Sequence, residues 1–486
     1  MSTSTLNKKA ITATKWSTFT EILAKLVSPI TTMVLARLLT PDAFGILVTA
    51  TMVISFAEIF TDAGFQKYLI QHEFKSTREK YKSTTVAFWS NLTLSLLLWA
   101  IIIIFSDEIA KVVGNEGYGD VIAVSCACIP LAAFSSIQMA LYKRALDFKT
   151  LFQIRMVGIS LPLIITIPIA YFTHSYWSLI CGMIALNLSN AILLTIKSPW
   201  KPQLYFSFRR LKEMFSFTFW SMFEAVSIWL TGYIDIFIIG LVLNQHYLGI
   251  YRVSISTVGQ ITAIITTPTI PILFSTLSRL QNDRVAFNHF FLKFQKTIGL
   301  VVMPLSMGIF IFQDLITTIL LGSKWAEAGR LIGLWGLVNA IVIVTSYYCS
   351  EVFRALGKPK ISFYSHLLHL CFIVPTVLWS INYGFEFMYE MRAIVRLQGV
   401  IVNLIFLYTL TKITPINILY NLKIPILGSI LMLFTMLLLP TTQSLIIQSC
   451  YVIFCCVIYL GFICLFKDER NILQTIIHQL VNKLRK

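Results

Sequence analysis

Ten ionisable side chains lie in stretches of sequence otherwise apolar enough to sit in hydrocarbon, where each costs roughly 2.5–3.5 kcal/mol unless it faces a cavity or a partner. Glu21 and Lys25 are spaced i,i+4, so one helical face could hold them as an ion pair. Glu58 and Asp62 share that spacing but not the opposite sign, and two such carboxylates repel unless one is protonated or a cation lies near. Glu224 and Asp235 are eleven residues apart, which on a helix returns to within about 20° of the same face. Arg252, Glu351, Arg392 and Arg396 complete the set. The arginines offer bidentate donors to phosphate oxygens. The acids offer proton sites or hydrogen bonds to sugar hydroxyls. This is the chemistry of holding a polar cargo. The sequence points to no catalytic residues, no metal site and no cofactor.

Bland readings stand beside these. Arg37, Asp62 and Arg252 could snorkel to the interface. Glu21 and Lys25 could lock the fold, and Arg392 and Arg396 could mark a shallow or late-starting span. His366 and His369 read as interior histidines rather than ligands. Trp220, Trp229 and Tyr233 could stack on a sugar ring. The nine cysteines lie in apolar segments without zinc spacing and read as small buried hydrophobes.

The elements that must position these side chains are membrane helices. The chain has 486 residues, 57% hydrophobic and 13% charged, with mean hydropathy +0.77. A soluble chain carries roughly 25% charged residues, and half that number cannot coat a wet surface. The apolar runs reach the length that crosses a bilayer as a helix, about 20 residues. The spans fall near 16–39, 44–66, 83–105, 119–142, 151–172, 174–196, 214–243, 247–275, 295–321, 328–353, 360–382, 387–410, 423–440 and 443–466. That is an all-α integral membrane protein of about fourteen transmembrane helices. The apolar stretch from Trp16 is too long for a cleavable signal and reads as a retained first helix.

Charge orients the spans. With the N-terminus inside, all but eight of the 39 lysines and arginines fall on inner loops and tails; the eight are Lys25, Arg37, Lys111, Arg252, Lys324, Arg330, Arg392 and Arg396. This is the positive-inside distribution, and it places both termini in the cytoplasm. The net charge of +17 then faces anionic lipid of the inner leaflet, with no need of nucleic acid. Residues 472–486 have apolar residues at helical spacing and a basic opposite side, as an interfacial helix does.

Two echoes recur at almost one offset. Leu39–Ile46 resembles Leu243–Ile250, shifted by 204, and Arg144-Ala145-Leu146 recurs as Arg354-Ala355-Leu356. An offset of six spans is even, so the halves share one orientation, as in transporters built from parallel repeats. The expected organisation is a six-helix lobe over 1–200 and a second over 201–412. Two further spans over 413–466 and an interfacial tail over 467–486 complete it.

The chain resembles the polysaccharide repeat-unit (O-antigen type) flippases of the multidrug/oligosaccharidyl-lipid/polysaccharide exporter superfamily. The resemblance is carried by Ala36–Gly45, by Thr61–Gln66 with Leu69-Ile70-Gln71, and by Leu146-Asp147-Phe148-Lys149. It continues at Asp235–Gly240 with Gly249-Ile250-Tyr251, at Phe274–Gln281 and at Leu321-Gly322-Ser323-Lys324-Trp325. It implies two six-helix bundles, often with two added helices. It implies passage of an undecaprenyl-diphosphate-linked oligosaccharide from the inner to the outer leaflet of a bacterial inner membrane by alternating access. Proton or sodium exchange through Glu58, Asp62, Glu224 or Asp235 could drive the cycle, and a polysaccharide polymerase and chain-length proteins could be partners. In span twelve the relatives are more apolar and glycine-rich, so Arg392 and Arg396 depart from the pattern. Two other readings are a cation-coupled drug exporter of the same superfamily and a membrane enzyme of polysaccharide assembly. The enzyme would need a large outer loop, and the longest here is about Ser106–Gly117.

Overall fold

The computed structural model describes residues 16, 20, 23–25, 27–62, 65–358, 360–440, 442 and 444–484; at 62, 67, 71, 215–224 and 476–484 it describes the backbone alone. All regular structure among these residues is helical. Among the described residues, thirteen helices are long and apolar enough to cross a membrane, from Pro41–Thr61 to Leu445–Cys464. Each overlaps one of the expected spans. The expected first span, 16–39, lies partly outside the described residues, and its described stretch 27–38 is helical. The protein is a multi-pass membrane protein, and large apolar side chains such as Ile104, Phe172 and Leu438 cover its exterior. Cys181, Cys371, Cys450, Cys456 and Cys464 are exposed on such surfaces, so only Cys126, Cys128, Cys349 and Cys455 are the buried hydrophobes that the sequence suggested.

Local chemistry sets the helix ends. The expected spans 151–172 and 174–196 are parted only by Thr173, and the break is made by His174, whose left-handed φ of 48° ends one helix at Thr173 before the next starts at Trp177. Asp147 caps the preceding helix, Phe148–Leu161, by accepting from the Thr150 amide at 3.2 Å and its hydroxyl at 2.7 Å. Pro162 then lacks an amide to donate, and residues Pro162–Thr166 form a π-helical segment. The expected span 295–321 is divided. Asp283 caps a helix that starts earlier, Arg284–Ile311, and Phe312 breaks it from the short helix Gln313–Leu320.

The chain forms two compact units, Met1–Val253 and Ser254–Lys486, whose junction falls inside the long helix Gln245–Arg279. The first is organised around Phe65, Leu69, Phe88, Ile137 and Trp200. The second is organised around Phe287, Phe291, Val302, Cys349, Phe353 and Leu422. The final helix, Lys467–Leu484, starts five residues before the amphipathic pattern does. Its Glu469 is buried and meets Lys296 at 2.7 Å.

Each unit contains the same local construction. In the first, helix Thr77–Ile104 ends at Phe105 (φ −106°, ψ 24°), a short helix Ser106–Val112 carries Asp107, and Gly119 packs on that aspartate. In the second, Arg284–Ile311 ends at Phe312 (φ −105°, ψ 30°), Gln313–Leu320 carries Asp314, and Gly329 packs on it. The phenylalanines, like the aspartates, are 207 residues apart.

Candidate functional site

The first echo of the sequence proves to be a contact. Within the first unit, His246 Nδ1 lies 3.4 Å from Asp42 Oδ2, a pair of residues 204 apart. A Cβ on Gly45 would strike the Gln245 carbonyl, and one on Gly249 would strike the Pro41 carbonyl. Position 41 corresponds to 245 and position 45 to 249 at that same offset, so the two approaches are reciprocal. Only glycine permits two helix starts to come this close.

The charged residues singled out by sequence fall into two groups. In the first unit, Asp235 is buried, 5% exposed. Its Oδ2 accepts from the Tyr251 hydroxyl at 2.8 Å and its Oδ1 from the Ile236 amide at 2.9 Å. Both carboxylate oxygens of Asp235 thus accept a hydrogen bond inside the fold. Arg252 is half-buried and lies over the Tyr233 ring at 5.6 Å. Tyr233 stacks on Trp229 at 5.4 Å, and the Trp229 indole donates to Ser55 Oγ at 3.0 Å. Phe56 also packs against Trp229, at 4.8 Å. Glu58 and Lys25 are half-buried. Glu21 lies outside the described residues, as do the side chains of Asp62, Glu224 and Trp220.

In the second unit, three of the sequence candidates come together. Arg392 is buried, 7% exposed, on the helix Phe385–Thr411. Near the start of that helix, Arg330 pairs with Glu390 at 2.6 Å and Glu386 at 3.3 Å. Arg392 and Arg396 both lie over the ring of the buried Trp335, at 5.6 and 4.4 Å. Arg396 Nη2 donates to Asn339 Oδ1 at 2.7 Å, and Asn339 donates in turn to Thr262 Oγ1 at 3.2 Å. Arg396 also lines a cavity of about 320 Å³ together with Glu351, which is 8% exposed and pairs with Arg354 at 3.2 Å.

Uncharged polar residues complete that cavity, and the sequence reading passed over them. Ser365 donates to Asn403 Oδ1 at 2.9 Å, and Asn403 Nδ2 donates to Ser346 Oγ at 2.7 Å. Ser362 donates to Ser350 at 3.2 Å. His369, expected to be interior, is half-buried and bonds through Nδ1 to Gln398 Oε1 at 3.0 Å; His366 is exposed on the cavity wall. The wall includes Ser346 and Tyr347 of a π-helical segment, Ile343–Tyr347, and such segments gather at functional sites. The one signal available was the spacing of serine, histidine and asparagine along helices that otherwise read as membrane spans.

Several residues that carry the repeat echo or the family resemblance serve the fold. Arg144 Nη1 donates to the carbonyls of Leu69, Ile70 and His72 at 2.7, 3.0 and 2.7 Å and covers the Phe74 ring. Leu146 takes a left-handed φ of 57° before the Asp147 cap. Gly322, at φ 95°, starts the turn that buries Trp325 completely. On the side expected to face the cytoplasm, Arg210 donates to Ser83 at 2.9 Å and Lys82 lies over the Tyr205 ring. A hydrogen bond from Arg210 holds the Tyr205 phenol below its ordinary range, aided by Lys82. This corner is basic, as a surface for anionic lipid must be.

Residues 34–330, more than half the chain, match the family of polysaccharide biosynthesis proteins. The chain belongs to that family. It is 22% identical over 367 residues to the succinoglycan biosynthesis transport protein ExoT of Rhizobium meliloti (strain 1021), covering 75% of this chain and 73% of that protein. It is 21% identical to the lipopolysaccharide biosynthesis protein WzxC of Escherichia coli (strain K12), covering 73% and 69%. Its fold resembles the lipid II flippase MurJ in an inward closed conformation, with a TM-score of 0.76 at 16% identity over 93% of this chain and 98% of that one. The membrane-helical architecture expected from the sequence is therefore a transporter fold.

Proposed function

We propose that this member of the family moves a lipid-linked oligosaccharide, joined through a diphosphate to undecaprenol, from the inner to the outer leaflet of a bacterial inner membrane. No bond is made or broken. The head group of such a lipid cannot pass through hydrocarbon, because its hydroxyls and phosphates would lose their hydrogen bonds at a cost of several kcal/mol each. The observation that carries the reading is the polar wall built inside membrane-crossing helices of the second unit: Arg396 fixed on Trp335 and Asn339, beside Glu351 and the Ser365–Asn403–Ser346 chain. Membrane segments keep such groups where a polar cargo must be held. The names of the relatives, transport proteins for succinoglycan and lipopolysaccharide synthesis, support the same class of cargo.

The cycle is alternating exposure of a polar interior to the two sides, by two lobes of six helices with two added helices and a C-terminal tail. The paired Phe105–Asp107 and Phe312–Asp314 constructions and the reciprocal glycine contact support the repeat. Both termini face the cytoplasm in this reading, where a polymerase and chain-length proteins would receive the product on the opposite side. In this reading Glu58, Asp62, Glu224 or Asp235 exchanges a proton or sodium ion to drive the cycle. The test is reconstitution of the full chain in proteoliposomes containing a fluorescent lipid-diphosphate oligosaccharide, with a membrane-impermeant quencher added outside. Quenching of the inner pool is expected with protein and not without it. An intact protein that leaves the inner pool protected would refute the reading.

A further inference from the structure

The first unit holds an apolar groove of about 490 Å³ between three membrane-crossing segments, Thr77–Ile104, Gly119–Ala145 and Trp177–Lys197. Leu92, Phe134, Leu188, Ile192 and Ile196 line it, and Thr195 is the one hydroxyl-bearing residue on its wall. That hydroxyl already accepts from Gln138 Nε2 at 3.0 Å. Such a wall suits hydrocarbon and nothing polar. The groove reaches Leu188, nine residues from Lys197, and Leu92, nine residues into the expected span 83–105. At 1.5 Å per residue that depth is about 14 Å, close to half of a hydrocarbon core of about 30 Å.

One end of the groove is basic. Residues 197–212 contain Lys197, Lys201, Arg209, Arg210 and Lys212 and no carboxylate. Lys201 Nζ donates to the carbonyls of Thr195 and Ile196, the latter at 3.1 Å, and both residues line the groove. On the facing helix, one turn before Leu92, the Trp89 indole donates to the Gln203 carbonyl at 2.7 Å. The stretch that carries Lys201 is thus pinned to two of the three groove helices. Lys197 Nζ donates to Gln153 Oε1 at 2.7 Å. Both lysines are exposed and bonded to neutral oxygens, so each keeps its positive charge for an anion. Leu204 and Phe208, 95% and 80% exposed, follow in the same stretch. Apolar side chains among cations mark a segment seated at the lipid interface.

We propose that the groove and its two lysines form a binding site for an anionic diacyl phospholipid of the phosphatidylglycerol class. One acyl chain lies in the groove, and the phosphate rests on Lys201 and Lys197. The wall takes hydrocarbon from any lipid, and the lysines select the charge. The depth favours this occupant over a polyprenyl carrier. An acyl chain ends where the groove ends, whereas a polyprenyl chain is far longer and would leave most of its carbon outside. The inference goes beyond the flippase reading and does not depend on it, because groove and lysines meet at one end of the Trp177–Lys197 helix.

The experiment is native mass spectrometry of the full chain, released from detergent micelles after titration with dioleoyl phosphatidylglycerol, dioleoyl phosphatidylethanolamine or undecaprenyl phosphate. Phosphatidylglycerol should bind about tenfold more tightly than the zwitterionic lipid. Lys201→Gln and Lys197→Gln should each weaken it about fivefold and leave phosphatidylethanolamine unchanged, and Lys201→Arg should keep the preference. Ile192→Trp, at an exposed wall position, fills the groove and should weaken both phospholipids alike. If Lys201→Gln fails to fold, Lys197→Gln carries the charge test. Equal binding of the two phospholipids overturns the proposal. So does phosphatidylglycerol binding that ignores the glutamine variants and Ile192→Trp in folded protein. Displacement of phosphatidylglycerol by equimolar undecaprenyl phosphate, lost in Ile192→Trp, gives the groove to the carrier and overturns it too.

Discussion

Replacing Tyr251 by phenylalanine removes the hydroxyl that reaches Asp235 Oδ2 at 2.8 Å and leaves the ring, only 1% exposed, in place. A hydrogen bond to a charged group contributes roughly 1.5–3 kcal/mol net, so the loss should be about 2 kcal/mol. Asp235→Asn keeps the shape and the bond from the Ile236 amide at 2.9 Å, but turns a charge-assisted bond into a neutral one of about half the strength. It should cost about 1 kcal/mol. In the double variant the second change meets a bond already gone, so the total should fall short of the sum by roughly 1 kcal/mol. Reversible unfolding of the purified protein by SDS titration in mixed micelles reads all three values. Additivity within about 0.5 kcal/mol would refute the coupling between these two residues. The same variants separate structure from ion exchange. If Asp235 carries the coupling ion, Asp235→Asn loses the dependence of flipping on an imposed gradient, while Tyr251→Phe keeps it. Gradient dependence that survives in Asp235→Asn would exclude this carboxylate.

Three further outcomes are expected. Neutralising Glu469 alone leaves the largely buried Lys296 without its partner and should undock the start of the last helix. Breaking such pairs costs up to about 3–5 kcal/mol, so amide exchange over 467–475 should rise at least tenfold, and the charge swap Lys296→Glu with Glu469→Lys should restore protection. Gly249→Val places atoms against the Pro41 carbonyl and should destabilise the first unit by about 1–3 kcal/mol, whereas Gly232→Ala, where added atoms meet nothing, should be tolerated, as thermal unfolding will show. Arg144→Gln deprives three carbonyls at the end of helix Phe65–Gln71 of their donor and should speed proteolysis at 72–76 without altering the oligomeric state, as limited digestion will show.

The spans were legible because a run of about 20 apolar residues has few other uses. The ends were not, since hydropathy is blind to caps: Asp283 starts a helix eleven residues before the apolar core of its span, and Phe312 divides what reads as one segment. The echoes legible in the sequence were Leu39–Ile46 with Leu243–Ile250, where close approach needs Gly45 and Gly249, and Arg144-Ala145-Leu146 with Arg354-Ala355-Leu356. The Phe105–Asp107 and Phe312–Asp314 pair escaped notice because two matching residues at an offset of 207 are nothing without the backbone angles that make them equivalent. The site shows a similar division. Charges in apolar segments announce themselves by their cost, and Asp235, Glu351, Arg392 and Arg396 all proved to be buried or bonded inside the fold. Serines, histidines and asparagines cost far less on a helix, where a serine hydroxyl can bond to its own backbone, so Ser346, Ser365 and Asn403 gave no warning. Recognition of a sugar depends on this second class, because hydroxyls need partners that both donate and accept. A search of a membrane sequence for its charges thus finds the part of a site that handles ions. The uncharged part of this cavity is visible only when three helices are folded together.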